Sequence, residues 1–341
     1  MLAARFYEPN KPLKLEQISV PSIGDDDVLV KIRASGICGS EIHVWKGRDT
    51  SGIIPRTLGH EGAGIVEKVG KNVTNIPPGT RVLMDYDITC GMCRYCRGGR
   101  ENLCTNLQYI GYQKDGTYQE YMAVPARNAI PLPNNVSFEE GAIISCGVVT
   151  AFHAIRQADI KIGDHVAIIG LGGVGLHGIQ FARMQGATQI MAVDILDSKL
   201  KLAKEMGADF VVNAAREDFV GKAKELWGGA DVAFEFIGLS KTLKDSMRSL
   251  ARGGKAIAVG MCFQDVTFNP EADFRYLEAQ LRGSADHTSD DLRKLLELVE
   301  LKKIDLSKSI THKLKLEQVN EGFKMLDTQQ NNPVRIVLTP P

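Results

Sequence analysis

The sequence predicts an α/β protein in two parts, a β-rich domain and a doubly wound parallel sheet. Three observations predict it. Short apolar runs broken by Gly and Pro turns fill the first third, strand and helix patterns alternate from residue 163, and a cluster of cysteines interrupts the β-rich part. A chain of 341 residues is long enough for two cores. The texture changes set the expected borders: residues 1–147 with 287–341 form the β-rich domain, including a cysteine lobe at 85–110, and residues 148–286 form the parallel sheet.

Residues 1–35 read as short strands. LKLEQISV alternates apolar and polar, and VLVKIRASG does so again after the acidic turn GDDD. GHEGAGIVEKVGKNV and PPGTRVLM carry frequent Gly and Pro, the mark of tight turns between strands, and TYQEYMAV continues the β pattern.

Cys90, Cys93, Cys96 and Cys104 follow a C-x2-C-x2-C-x7-C pattern. Four thiolates this close can surround one tetrahedral ion, and Zn²⁺ suits a sulfur cage because it has no redox chemistry. Three cysteines within seven residues are too crowded for paired disulfides of good geometry. A closed cage leaves no open ligand position, so this zinc is expected to be structural.

In SFEEGAIISCGVVTAFHAI, Ser137 and Glu140 form a capping-box pattern at a helix start. DHVAIIG is then an apolar strand, GLHGIQFARMQG a helix ending at Gly186, QIMAVD a strand and SKLKLAKEMG a helix. ADVAFEFIG and KAIAVG are further buried strands, an alternation that implies a parallel sheet with helices on both faces. DDLRKLLELVELKK is an amphipathic helix, and RIVLTPP is a strand expected to return to the first domain.

The turn after HVAII is Gly170-Leu171-Gly172-Gly173-Val174-Gly175, a G-x-G-x-x-G pattern opening a helix. Gly170 permits the tight turn, Gly172 lets backbone approach a pyrophosphate, and Gly175 lets helix and strand pack closely. The helix N-terminus offers N–H groups and partial positive charge to phosphates. Asp194 ends the next strand, nineteen residues after Gly175, where a carboxylate accepts from ribose hydroxyls and repels a 2′-phosphate. With Ile195 following and no arginine there, NAD is expected over NADP. Lys199, in the following helix, and Val259, at the end of KAIAVG, complete the expected cofactor-binding residues.

Cys38 in GICGSEIH, His60 in GHEG and Cys146 in ISCGVVT remain as metal ligands. Each alone is unremarkable, Cys146 above all, since a lone apolar-flanked cysteine commonly packs as a small hydrophobe. Together they are a two-cysteine, one-histidine set that leaves a fourth position for water or substrate, the mark of a catalytic zinc. Glu61 and Glu41 are outer groups that orient ligands or tune charge.

Charge excludes other classes. Lys plus Arg and Asp plus Glu number 41 each, which argues against a broad nucleic-acid or anionic-membrane surface. Arg94, Arg97 and Arg100 make the cysteine lobe locally basic, but Glu101 follows. The first residues show no apolar core of signal-peptide length, and no apolar run reads as long enough to cross a bilayer. Seven cysteines without such a signal suggest a reducing compartment, so a cytoplasmic protein is expected.

Taken in order, GICGSEIH, TLGHEGAGIVEKVG, the four-cysteine lobe, the cysteine after GAIIS, GLGGVG and the acid in AVD resemble the zinc-dependent medium-chain alcohol dehydrogenases over nearly the whole chain. The resemblance implies a GroES-like catalytic domain, a Rossmann domain, and an active site in the cleft between them. It implies that Cys38, His60 and Cys146 bind a catalytic zinc, that Ser40 and His43 relay a proton, and that Glu61 stands beside the metal. It also places Thr150 near the nicotinamide and Arg335 near the pyrophosphate. A homo-oligomer, tetramer over dimer, follows from the resemblance alone. Two departures stand out: Gly39 replaces an arginine that some members carry near the pyrophosphate, and Cys146 stands where polyol and threonine relatives often have glutamate.

The expected chemistry is hydride exchange between a primary or secondary alcohol and NAD, giving an aldehyde or ketone, with two zinc ions per chain. Zn²⁺ acidifies a bound hydroxyl, Ser40 passes its proton on, and His43 releases it to solvent. Trp45, Tyr86 and Ile110 are candidate pocket walls, and Cys262 is expected to be a free thiol. Two alternatives stay open: a polyol, sugar or threonine-like amino-alcohol dehydrogenase, and a non-enzymatic dinucleotide-sensing or nucleic-acid-binding protein.

Overall fold

Alternation governs the first strands. In Asp27–Ile37 the side chains of Val28, Val30 and Ile32 enter one core cluster, where Val66, Val82 and Met122 from three neighbouring strands meet them. Each such fully buried side chain stabilises the fold by about 1.5–3 kcal/mol. The computed structural model describes residues 1–341 and divides them into two units. Unit 1 is Met1–Val149 with His287–Pro341, and unit 2 is Thr150–Asp286. The first border falls two residues past the expected one, inside a helix that runs on through it.

Unit 1 is built on a seven-stranded sheet. Its strands lie in the order Ala129–Pro131, Arg81–Met84, Glu61–Val69, Asp27–Ile37, Arg335–Thr339 and Ile310–Lys315, with Tyr121–Pro125 also paired to Asp27–Ile37. The tail strand does return: Val337 lies opposite Gly36, and Ile336 opposite Ile37. A small sheet joins Leu2–Phe6 to Lys14–Gln17 and Arg56–Thr57, and the pair Asp87–Ile88 with Gln108–Tyr109 flanks the cysteine lobe.

The capping box forms at Ser137. Its hydroxyl accepts the Glu140 N–H at 3.2 Å, and Glu140 Oε2 accepts the Ser137 N–H at 2.8 Å, worth about 1 kcal/mol. The helix Phe138–Ile143 then widens into one π turn, Ile144–Val148, and continues as Val149–Ala158. By length and composition this continuous stretch could cross a membrane, which corrects the reading that no run was long enough. Ala142, Ile143, Ile144, Val148, Val149, Ala151 and Ala154 are instead buried inside the protein, which accounts for its apolar character.

Unit 2 is a six-stranded, fully parallel sheet in the order Phe210–Asn213, Gln189–Asp194, His165–Ile169, Ala230–Glu235, Leu250–Ala258, Gln280–Gly283. This is the Rossmann order, with helices between the strands. Burial on both faces explains why these strands read as continuous apolar runs. Strand order reverses at His165–Ile169, and the glycine turn leaves the carboxyl end of that strand, where open α/β sheets bind ligands. The helices Phe219–Trp227 and Ser240–Arg248 and the strand Phe210–Asn213 complete the alternation beyond the elements read from sequence.

Candidate active site

Three segments of unit 1 converge on one point. Cys38 caps the short helix Gly39–Trp45, His60 and Glu61 open the strand Glu61–Val69, and Cys146 lies in the π turn. Strand register brings Gly36 opposite Glu61, and a Cβ at Gly36 would run into the Glu61 carboxylate, so only glycine fits there. One donor atom from each of Cys38, His60, Glu61 and Cys146 lies within 4.8 Å of the others, and all four residues are buried. Two sulfurs, one imidazole and a carboxylate at this spacing fit a tetrahedral zinc ion. π turns are frequent at functional sites, and this one carries Cys146.

Hydrogen bonds fix the ligands. Glu41 Oε1 accepts from His60 Nδ1 at 2.8 Å and from the His60 N–H at 3.1 Å, which leaves Nε2 as the metal-binding nitrogen. Glu41 Oε2 accepts the Cys38 N–H at 2.9 Å. Burial pulls the imidazole down, but Glu41 and Cys38 outweigh it and raise His60 to about 10. The Cys38 thiol is held well below its usual value, first by the Cys146 sulfur and then by His60, against the upward push of burial. Binding a cation here would require the thiols and the imidazole to shed their protons.

Glu61 Oε2 is paired with the Arg335 guanidinium, whereas Glu61 Oε1 and Arg335 Nε have no partner. Arg335 is buried in the tail strand next to Cys38, and burial pushes it down. The sequence reading put this arginine near the pyrophosphate; in the structure its guanidinium is committed to Glu61. That commitment follows from register, because Arg335–Thr339 pairs with Asp27–Ile37, the strand that Cys38 follows.

Ser40 Oγ is buried without a hydrogen bond of full geometry, and the Tyr112 phenol, raised by burial, is beside it. His43 is half-buried, and its imidazole is lowered first by burial and then by Arg48, so it is neutral near pH 7. The Tyr86 ring meets the His60 ring edge-on at 5.0 Å, and Tyr112 is 6.3 Å from it. Ile110 packs in the cluster that holds Cys38 and Cys146. Trp45 does not line this site: its indole N–H donates to the Lys11 carbonyl at 2.8 Å and its ring packs on Phe323. Tyr86 has a second imidazole at 5.2 Å, that of His287, whose Nε2 is 3.2 Å from Asp85 Oδ1. This buried pair, with Asp87 nearby, ties the approach to the cysteine lobe to the helix Ser289–Glu300.

The four lobe cysteines also gather their sulfurs within 4.8 Å. Cys93 and Cys96 sulfurs are 3.5 Å apart, and Cys90 and Cys96 sulfurs 3.9 Å. Backbone N–H groups of Cys90 and Asn106 donate to the Cys104 sulfur, and that of Cys93 to the Cys90 sulfur. Backbone donors hold Cys93 down to about 5, and burial with the neighbouring thiols pushes Cys96 up to about 12. Four sulfurs with N–H donors turned on them fit one closed zinc cage.

Unit 2 carries the dinucleotide half. Gly170 has φ 92, the left-handed turn its position demands. A Cβ at Gly175 would strike the Gly170 carbonyl, whereas one at Gly172 would meet nothing within 4 Å, so that face of the turn is open to a ligand. Gly173 and Val174 complete the turn into the helix Gly175–Gln185. Asp194 Oδ2 accepts the Leu171 N–H at 2.8 Å, and Oδ1 accepts those of Ile195 and Leu196 at 2.8 and 3.0 Å. The carboxylate is thereby fixed at the edge of the turn. Ile195 is 62% exposed, as a surface for a flat ring requires. Lys199 is buried near Asp194, its amine lowered by burial. Val259 follows the strand Leu250–Ala258, its N–H on the Glu235 carbonyl, and Thr150 opens unit 2 in the helix after Cys146. Cys262 is a free, half-buried thiol facing the Gln264 carbonyl at 3.5 Å.

A two-sulfur, one-imidazole metal set and a Rossmann dinucleotide turn on one chain define a metal-dependent nicotinamide oxidoreductase. Comparison with known proteins narrows the class. The model of the alcohol dehydrogenase GroES-like domain matches residues 24–134, and that of the zinc-binding dehydrogenase domain matches residues 173–300. An alcohol dehydrogenase of Geobacillus stearothermophilus is 36% identical, with 99% of each chain covered. An L-threonine 3-dehydrogenase of Chromobacterium violaceum is 31% identical, covering 94% of this chain and 95% of that one. The crystal structure of the alcohol dehydrogenase of Aeropyrum pernix superposes with a TM-score of 0.92 at 32% identity, covering 100% of both chains. The chain belongs to the zinc-dependent medium-chain dehydrogenase/reductase family. It is therefore an oxidoreductase that uses zinc and a nicotinamide cofactor, and the non-enzymatic alternative falls away.

Proposed function

We propose that the protein interconverts a primary or secondary alcohol with its aldehyde or ketone, using NAD. The observation that carries this reading is the buried convergence of Cys38, His60 and Cys146 within 4.8 Å, with Glu61 beside them. Those three residues would hold a catalytic zinc, and Cys90, Cys93, Cys96 and Cys104 a second, structural one. When bound, zinc supplies a Lewis acid that acidifies the substrate hydroxyl, and nicotinamide supplies the hydride acceptor.

The chain does the rest. Glu41 orients His60, and the Glu61–Arg335 pair supplies compensating charge beside two thiolates. Ser40 Oγ is the buried hydroxyl that takes the substrate proton, and neutral His43 hands it to solvent. Tyr86, Ile110 and Tyr112 provide an apolar wall. The Gly170–Gly175 turn and its helix N-terminus take the pyrophosphate, Thr150 and Val259 serve the nicotinamide end, and Ile195 and Lys199 the adenosine end. Asp194, held in place by three N–H donors, favours ribose hydroxyls and disfavours a 2′-phosphate, which supports NAD over NADP. A cytoplasmic homo-oligomer, tetramer over dimer, fits seven cysteines outside any disulfide and the family resemblance.

A second reading, an amino-alcohol or polyol dehydrogenase, draws support from the threonine dehydrogenase relative. Short alcohols, benzyl alcohol, polyols and threonine assayed with NAD and NADP in parallel separate the two. Zinc is expected at two ions per chain, and Cys38→Ser or His60→Ala should lose at least about 10²-fold in kcat/KM. Full turnover in either variant would overturn the mechanism.

A further inference from the structure

We propose that Tyr118 is a positioning residue for the catalytic zinc, acting through Glu41 on two ligands at once; this rests on the zinc reading above. Glu41 is 1% exposed and receives four hydrogen bonds. Three come from the ligand residues themselves, the Cys38 N–H and the His60 N–H and Nδ1. The fourth is the phenol O–H of Tyr118, which donates to Oε2, the oxygen that also holds the Cys38 N–H. One carboxylate thus keys two ligands twenty-two residues apart, and one phenol fixes that carboxylate from a third segment.

The phenol is itself held in place. Tyr118 is 0% exposed, its N–H donates to the Leu58 carbonyl at 3.0 Å, and its carbonyl accepts the Ala4 N–H at 2.9 Å. Its ring lies so close to Gly59 that a Cβ there would clash with it, and it meets Phe323 edge-on at 6.0 Å. A purely space-filling role needs only the ring, and phenylalanine would supply that. The hydroxyl donates instead to the Glu41 carboxylate, itself buried behind the candidate ligands. Without it, Oε2 keeps one N–H donor, the carboxylate gains freedom to rotate, and both Cys38 and His60 lose their fixed reference. Groups that orient a ligating histidine typically change metal affinity by about 10–100-fold when removed.

The test compares the holoenzyme with Tyr118→Phe, and with 3-fluorotyrosine placed at position 118, which keeps the ring and strengthens the donor. Transfer of zinc to a chromogenic chelator is followed together with the visible spectrum of the cobalt-substituted protein. In Tyr118→Phe one ion per chain should leave about tenfold faster, with an altered cobalt spectrum, while the four-cysteine ion leaves at the wild-type rate. The fluorotyrosine protein should retain its ion at least as long as wild type. Equal release rates and superimposable cobalt spectra for wild type and Tyr118→Phe would overturn the proposal while leaving the zinc reading intact. A Cys38→Ser chain that keeps as much zinc as wild type would overturn both.

Discussion

Glu61 and Arg335 show how much a single pair can carry. Both side chains are buried, at 0% and 2% exposure, and they are 274 residues apart in sequence. Replacing Glu61 by Gln leaves a guanidinium without its counter-charge, and breaking such a pair costs about 3–5 kcal/mol. Urea unfolding of Glu61→Gln should show that loss. The double change Glu61→Gln with Arg335→Met should recover most of it, since no uncompensated charge remains; equal losses in both would mean that the pair is not the source. At this scale the residues that converge at Cys38, His60 and Cys146 stood out in the sequence because cysteine and histidine are scarce and chemically particular. Tyr118 was not, because TYQEYMAV reads as strand and nothing in it marks one aromatic as a donor. Arg335 was misplaced for a related reason: a motif names a residue, but only strand register shows which carboxylate it meets.

Among the elements, the helix Gly175–Gln185 holds a group with an unusual environment. His177 is 0% exposed, neither ring nitrogen has a partner, and burial lowers its imidazole to about 4. The unfolded chain binds this proton near pH 6.5 and the folded chain only near 4, so stability falls as pH drops through that window. The loss is roughly 3 kcal/mol once both values are passed. His177→Leu should therefore flatten the dependence of thermal unfolding temperature on pH between 6.5 and 4, while changing it little above pH 7. A parallel downward shift at every pH would instead mark a simple packing defect. The capping box and glycine turn were readable because each depends on local backbone demands. The π turn at Ile144–Val148 was not, since an apolar ISCGV suits an α turn equally well and the extra residue is accommodated by the packing of Cys146 against its partners. Trp45 failed likewise: its sequence neighbours placed it near Cys38, but helix direction sends it to the Phe323 cluster.

For the whole molecule, chain order matters more than any single contact. Unit 2 is one continuous segment with its own six-stranded sheet and core, whereas unit 1 is closed only when the last strand returns. The return was legible from RIVLTPP, because a short apolar run after the last helix reads as a strand. The consequence lay beyond the sequence. Arg335–Thr339 stands inside the seven-stranded sheet rather than at its edge, pairing on both sides. It buries Ile336, Val337 and Leu338 completely, worth about 5 kcal/mol or more together. That is comparable to the entire stability of a typical domain. A chain ending at Val334 should therefore fail to hold zinc at Cys38, His60 and Cys146, because the strand Asp27–Ile37, which leads into Cys38, loses its neighbour and Glu61 its counter-charge. The same chain should still enhance NADH fluorescence, since the glycine turn, Asp194 and the other groups proposed to hold the dinucleotide lie in unit 2. Zinc analysis after dialysis, alongside an NADH titration, measures both halves in one preparation. Retention of that zinc would show that the tail strand is an accessory, and loss of NADH binding would show that unit 2 depends on unit 1 for its fold.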